Sequence, residues 1–222
     1  MNVVITGANR GLGAGFVRHY LHQGANVWAC YRSSRGELSG IHAEKLHTLR
    51  WDVGSDEHPQ GDLPDTIDLL INNAGIYGPG KDGQSLNRVT GKAMLEVFNV
   101  DCVGPLRVVQ LLADRVIAAQ GVIANLSSKM GSTSDNSSGG TYAYRAAKAG
   151  LVIVSKSMAV DLAPHGVHVI TLHPGWVVTD MTHNTGLIDV TTSVAGMSAV
   201  ISDARNYPAG EFVAFDGKTV PY

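Results

Sequence analysis

The first turn of the chain constrains it most. A short apolar run, Val3–Thr6, passes directly into Gly7-Ala8-Asn9-Arg10-Gly11-Leu12-Gly13, and a helical stretch then continues to His22. A strand that turns through three glycines into a helix gathers free backbone N–H groups and the positive end of a helix dipole at one point, which suits an anion. The glycines also allow a tight turn and close approach of the main chain to a pyrophosphate. The spacing is G-x-x-x-G-x-G rather than G-x-G-x-x-G. Taken alone, it also fits a glycine-rich turn with no ligand.

The same alternation of apolar run, turn and helix repeats along the chain. Asn26–Cys30, Leu46–Trp51, Ile67–Asn72, Gly121–Leu126, Val167–Leu172 and Phe212–Phe215 read as further strands. Several are continuous Val/Ile/Leu runs, as expected for strands covered on both faces. Gly13–His22, Asn87–Asn99, Val103–Ala119 and Tyr142–Leu162 read as helices. Strands alternating with helices predict right-handed crossovers and an α/β fold, a parallel sheet with helices on both faces. The 222 residues suit one domain, 1–222. Ser132–Gly140, rich in Ser and Gly, reads as a loop, and Met181–Gly196 as an irregular stretch that caps the site with a short helix.

Composition excludes several classes. Hydrophobic residues make up 44% and charged residues 16%, as in a globular protein. A net charge of −2 gives no general attraction to nucleic acid or an anionic membrane. Two distant cysteines, Cys30 and Cys102, suggest neither a disulfide framework nor a zinc site, and read as reduced buried thiols. None of the nine histidines pairs at metal-ligand spacing with a third ligand, so no metal is expected. The N-terminal segment lacks a signal-peptide pattern and no stretch approaches a membrane span, so the expected location is cytoplasmic.

Two arginines narrow the anion. Arg10 stands at the start of the helix, where a cation opposes the dipole, a placement that a bound phosphate would explain. After the second strand comes Tyr31-Arg32-Ser33-Ser34, with no acid between Ala25 and Gly36. An NAD site would place an acid there for the ribose 2′-hydroxyl, whereas Arg32 suits the 2′-phosphate of NADP.

Further motifs follow in order: Asp52-Val53, Asn72-Asn73-Ala74-Gly75, Asn99, Asn125-Leu126-Ser127-Ser128, Tyr144-Arg145-Ala146-Ala147-Lys148 and Pro174-Gly175-Trp176-Val177-Val178-Thr179. With the glycine turn they resemble the classical short-chain dehydrogenase/reductase family, over nearly the whole chain. The short length and the insertion Lys129–Thr141 look like its C-factor and carbonyl-reductase-like branch. The resemblance implies a single Rossmann-type doubly wound sheet of about seven strands in the order 3-2-1-4-5-6-7. It implies an NADP(H) site formed by Gly7, Asn9, Arg10, Gly11, Leu12, Gly13, Arg32, Asp52, Val53, Asn73, Ala74, Gly75, Pro174, Gly175, Val177 and Thr179, with Tyr144 and Lys148. In it Asp52 would accept from the adenine amino group, and Val177 and Thr179 would face the nicotinamide carboxamide. It also implies a catalytic set of Ser128, Tyr144, Lys148 and Asn99, in which Asn99 holds a water that links Lys148 to solvent. Ser127 is expected to make a structural hydrogen bond, and Asn73 could simply brace neighbouring strands.

The chemistry follows from residue type. Tyr144 and Lys148 are four apart on a helix and share a face. A tyrosine titrates near 10, and bringing it near 7 takes roughly 4 kcal/mol, much of which a neighbouring ammonium can supply. Tyr142, a rival donor two residues away, has Ala146 at the lysine spacing. The expected reaction is hydride transfer between NADP(H) and a small or medium carbonyl or alcohol, with Ser128 orienting the oxygen. Trp176, Met130, Tyr142 and Met181 adjoin these motifs and are candidates to line the substrate pocket. A different class stays open: an NADP-binding regulatory or signalling protein, C-factor-like, with incidental turnover. Ala147, Leu151, Val154 and Met158 form an apolar stripe that would serve either packing on the sheet or a homodimer or homotetramer.

Overall fold

A computed structural model describes residues 1–222. Val3, Val4 and Ile5 have no exposed surface, as a strand covered on both faces requires, and they form β1 (Asn2–Ile5) at the centre of the molecule. Around it lie β2 (Asn26–Tyr31), β3 (Leu46–Arg50), β4 (Leu69–Asn72), β5 (Val122–Leu126), β6 (His168–His173) and β7 (Phe212–Ala214). The seven strands are parallel and ordered β3-β2-β1-β4-β5-β6-β7. The order reverses between β1 and β4, so a crevice opens beyond the carboxyl ends of those strands.

Two apolar layers hold the helices. On one face α1 (Gly11–His22) and α5 (Val190–Ser202) pack through Phe16, Val17, Tyr20, Val194, Met197 and Ile201. Gly15 lets these helices close, since a Cβ there would meet Val190 Cγ1 at 2.6 Å. On the other face α3 (Gly104–Ala118) and α4 (Tyr142–Leu162) pack through Val108, Leu112, Val116, Met158 and Ala159. No helix is long and apolar enough to cross a membrane.

Two features differ from the sequence reading. The stretch from Met181 to Gly196 is irregular only as far as Asp189, whose side chain caps α5 by accepting from Thr192 N at 2.7 Å. The expected helices on either side of Asn99 are one continuous column, α2 (Gly91–Phe98), a π-helical turn at Asn99–Val103, and α3. Of the two roles open to it, the stripe Ala147, Leu151, Val154 and Met158 packs against the interior of its own chain, and the large apolar residues that α4 exposes are Tyr142, Ile153 and Val160.

A buried polar chain fixes α4 against the sheet. Asn72 Nδ2 donates to Asn125 Oδ1 at 2.8 Å, Asn125 Nδ2 donates to Ser155 Oγ at 2.8 Å, and Ser155 Oγ donates to Leu151 O at 2.6 Å. All three side chains are fully or almost fully buried, so these bonds set where α4 sits on β4 and β5.

Candidate active site

The crevice at the carboxyl ends of the strands contains a cavity of about 580 Å³. One end of it is formed by the glycine turn and Arg32, the other by Tyr144 and Lys148.

At the first end, two glycines are demanded by packing. Gly7 has φ +61°, and a Cβ on it would stand 2.7 Å from Ala74 Cα. A Cβ on Gly13 would stand 2.2 Å from Gly7 O. Thr6 Oγ1 accepts from the N–H groups of Asn73 and Ala74, and Asn73 Nδ2 donates to the carbonyls of Thr6 and Gly7. Asn73 therefore braces the turn, and it also lines the cavity beside Ala74 and Gly75.

The helix behind the turn is built to receive an anion. Arg10, at its N-cap, makes no side-chain cap, and the first turn of α1 holds no acid. Its N–H groups have no partner within the helix. Glu37, the first acid after β2, takes one of them: its carboxylate accepts from Gly11 N at 3.0 Å and pairs with Arg18 at 2.8 Å. Both oxygens are thus engaged on α1. Arg32 and Asn9 line the cavity, and so does Arg10, which pairs with Asp180 at 3.2 Å. Both members of that pair are exposed, so it contributes little to stability and yields readily. A glycine cradle, a helix whose N-cap residue supplies no side-chain cap and two accessible guanidinium groups fit the phosphates of NADP.

The lining also includes Trp51, Asp52 and Val53, which follow β3, and Pro174, Val178 and Thr179, which follow β6. Asp52 gives one carboxylate oxygen to Gly54 N at 2.9 Å. Gly175 turns with φ +84° and does not line the cavity. Val177 is buried, with its main chain bridged to Ile188, and Val178 and Thr179 line the cavity instead. Met181 joins the lining, whereas Trp176 and Tyr142 are surface-exposed outside it, and Met130 packs beside Tyr144.

At the second end, α4 carries the buried Tyr144 and Lys148 on one face, with Lys148 Nζ 5.6 Å from the Tyr144 ring centre. Burial pushes the Tyr144 phenol above its usual value, Lys148 and a hydrogen bond with Ser128 pull it down, and Asp101 and Tyr77 push it up. Lys148 donates to Leu126 O at 3.1 Å and pairs with Asp101 at 3.1 Å. Burial lowers its ammonium, but Asp101 and Tyr144 outweigh that and hold it charged. Ser128 also accepts from Met130 N at 3.2 Å, while Ser127 donates to Lys148 O at 2.9 Å, the structural bond expected of it.

Asn99 does not join this group. Its Nδ2 donates to Gly54 O at 2.7 Å and its Oδ1 accepts from Arg107 at 2.8 Å, so the amide is engaged away from Lys148. The cause is the π-helical turn: one wide turn changes which side chain faces inward. Asp101 is the residue presented to Lys148. A lone carboxylate in the run Val100-Asp101-Cys102-Val103 is the sequence signal for it.

Gln84 is a second residue that sequence reasoning missed. It is wholly buried, its Nε2 donates to the carbonyls of Tyr77 and Pro79, and its Oε1 accepts from Tyr144 N at 2.9 Å. Thr141, which precedes α4, lies at φ +51° and supplies no side-chain cap. Gln84 fills that role from a distant loop and ties the Tyr144 backbone to the segment carrying Tyr77, whose ring lies 5.1 Å from that of Tyr144. Nothing local in the sequence marks it.

Comparison with known proteins agrees with this fold. A profile of the short chain dehydrogenase family matches residues 1–188. The C-signal protein of Myxococcus xanthus is 38% identical over 159 residues, covering 70% of this chain and 93% of that protein. The carbonyl reductase Sniffer of D. melanogaster superposes with a TM-score of 0.89 at 28% identity, covering 100% of this chain and 99% of that one. A carbonyl reductase from Pseudomonas aeruginosa PAO1, solved in complex with NADP, does so with a TM-score of 0.82 at 30% identity and the same coverage. The fold, the order of the motifs and the family profile lead to one conclusion: this chain belongs to the short chain dehydrogenase family.

Proposed function

We propose that this chain is an NADP(H)-dependent oxidoreductase that acts on a small or medium carbonyl or alcohol, with Tyr144 as general acid and base. The observation that carries the reading is the buried Tyr144–Lys148 pair at one end of a cavity whose other end is a glycine cradle flanked by Arg32. The carbonyl reductase of P. aeruginosa, solved with NADP, supports the same cofactor here.

The glycine turn and the first turn of α1 would hold the pyrophosphate, and Arg32 with Arg10 the 2′-phosphate. Asp52 keeps one carboxylate oxygen free for the adenine amino group, and Lys148 would hold the nicotinamide ribose. Val177, through its backbone N–H, and Thr179, through its hydroxyl, would meet the carboxamide. When bound, NADPH supplies the hydride. Tyr144 gives its proton to the substrate oxygen, and Ser128 hydrogen-bonds that oxygen as charge develops. The ammonium of Lys148 eases departure of the phenolic proton. Positioned acid catalysis of this kind contributes about 10²–10⁴-fold.

The likeness to C-signal favours a second reading, an NADP-binding signalling protein with incidental turnover. Measuring NADPH consumption over a panel of aldehydes and ketones separates the two, with NADH as control and Tyr144→Phe alongside. The enzyme reading predicts turnover with a preference for NADPH and a loss of at least about a hundredfold in Tyr144→Phe. Unchanged turnover in the variant overturns the role of Tyr144. NADPH binding without turnover on any substrate favours signalling.

A further inference from the structure

Asp101 has no exposed surface, and a buried carboxylate persists only when it is paired and hydrogen-bonded. Both conditions are met. Oδ1 accepts from Ile76 N at 2.7 Å and Oδ2 lies 3.1 Å from Lys148 Nζ. The fold leaves room for the pair: a Cβ on Gly75 would stand 3.3 Å from Asp101 Oδ2 and 3.4 Å from Lys148 Nζ.

The ionisable groups facing Tyr144 and Lys148 are Asp101 and Cys102, from the turn Asn99–Val103, and Tyr77, from the loop after β4. Burial pushes the Cys102 thiol up to about 11, so it stays neutral. The charge of the group therefore rests on Asp101, Lys148 and Tyr144. With the carboxylate and ammonium paired, the trio is neutral while the phenol keeps its proton. Losing that proton would leave a net negative charge in a buried site, which burial opposes. Without the carboxylate, the same loss would take the group from positive to neutral, which burial favours.

We propose that Asp101 is a positioning residue that fixes and neutralises Lys148, keeps Tyr144 in its proton-donating form and so sets this site for carbonyl reduction. The inference rests on Tyr144 as the proton donor. In that direction the carbonyl carbon gains the hydride from NADPH, which is oxidised, and the carbonyl π pair moves to oxygen. The oxygen takes the proton of Tyr144, and solvent reprotonates the phenolate.

The test is a titration of cofactor-free protein labelled with 13Cζ-tyrosine and followed by NMR, with the Tyr144 resonance assigned by its loss in Tyr144→Phe. In the unsubstituted protein Tyr144 stays protonated through neutral pH and titrates at or above the usual tyrosine value near 10. In Asp101→Asn, which keeps an acceptor for Ile76 N–H, it titrates lower by about one unit or more, a tenfold gain in phenolate at fixed pH. The pH limb of NADP+-dependent alcohol oxidation moves to lower pH by the same amount, which a merely structural role would not produce. A Tyr144 that titrates well below 10 in the unsubstituted protein overturns the proposal, even if the variant fails to fold. An unshifted or upward-shifted Tyr144 in a folded Asp101→Asn overturns it equally. The titration needs no turnover, so absence of reductase activity and failure of this inference appear in different measurements.

Discussion

The two ends of the cavity are built on opposite plans. The nucleotide end is exposed and locally encoded: the turn Gly7–Gly13 supplies its cradle, and Arg10 and Arg32 reach it from the surface. The reaction end is buried and assembled from afar, with Tyr144 and Lys148 on α4, Asp101 on the π-helical turn and Gln84 on a separate loop. An exposed arginine shifts easily to accept a phosphate, so at the first end only the glycine turn, braced by Thr6 and Asn73, is fixed before the ligand arrives. A buried phenol beside an ion pair has no such freedom, and its surroundings must hold it in advance.

The comparison predicts effects that differ in kind. Gly13→Ala is the most severe change, because its Cβ would stand 2.2 Å from Gly7 O and 2.7 Å from Asn73 Nδ2. It should destabilise the chain by about 3 kcal/mol, whereas Gly40→Ala, with nothing within 4 Å, should be close to neutral in the same thermal melt. Arg32→Ala should weaken NADPH binding by about 10–100-fold in a fluorescence titration and leave NADH binding unchanged, since one charged hydrogen-bonding group is removed. Equal weakening of both cofactors would break the assignment of Arg32 to the 2′-phosphate. Gln84→Ala leaves the buried Tyr144 N–H without its acceptor. It should lower kcat about tenfold and stability by about 1–3 kcal/mol, with the KM for NADPH unchanged. A rise in that KM would mean that the two ends are not separable.

How much could be read from sequence follows the same division. The glycine turn, Asn72-Asn73-Ala74-Gly75 and the pair Tyr144 and Lys148 each lie within a few residues, where the spacing itself carries the geometry; the βα alternation gives a parallel sheet, and the strand order comes from the family resemblance. Asp101 and Gln84 act through contacts between remote segments; a lone carboxylate in an apolar run is the one local mark of Asp101, and Gln84 has none. Asn99 had the expected residue type at nearly the expected place, but a π-helical turn rotates it toward Gly54 and Arg107. Helix α5 was hidden because Thr, Ser, Gly and Val fill it, residues of modest helix propensity. Its stability comes from the Asp189 cap and from burying Val194 and Met197 against the sheet.

The central claim is that Tyr144 performs the chemistry while Arg32 serves only binding. Stopped-flow measurement of hydride transfer from saturating NADPH to a carbonyl substrate, in Tyr144→Phe and Arg32→Ala side by side, tests it most directly. The account predicts transfer at the unsubstituted rate in Arg32→Ala and at least about a hundredfold slower in Tyr144→Phe. Undiminished transfer in Tyr144→Phe, or an equal loss in both variants, would contradict it.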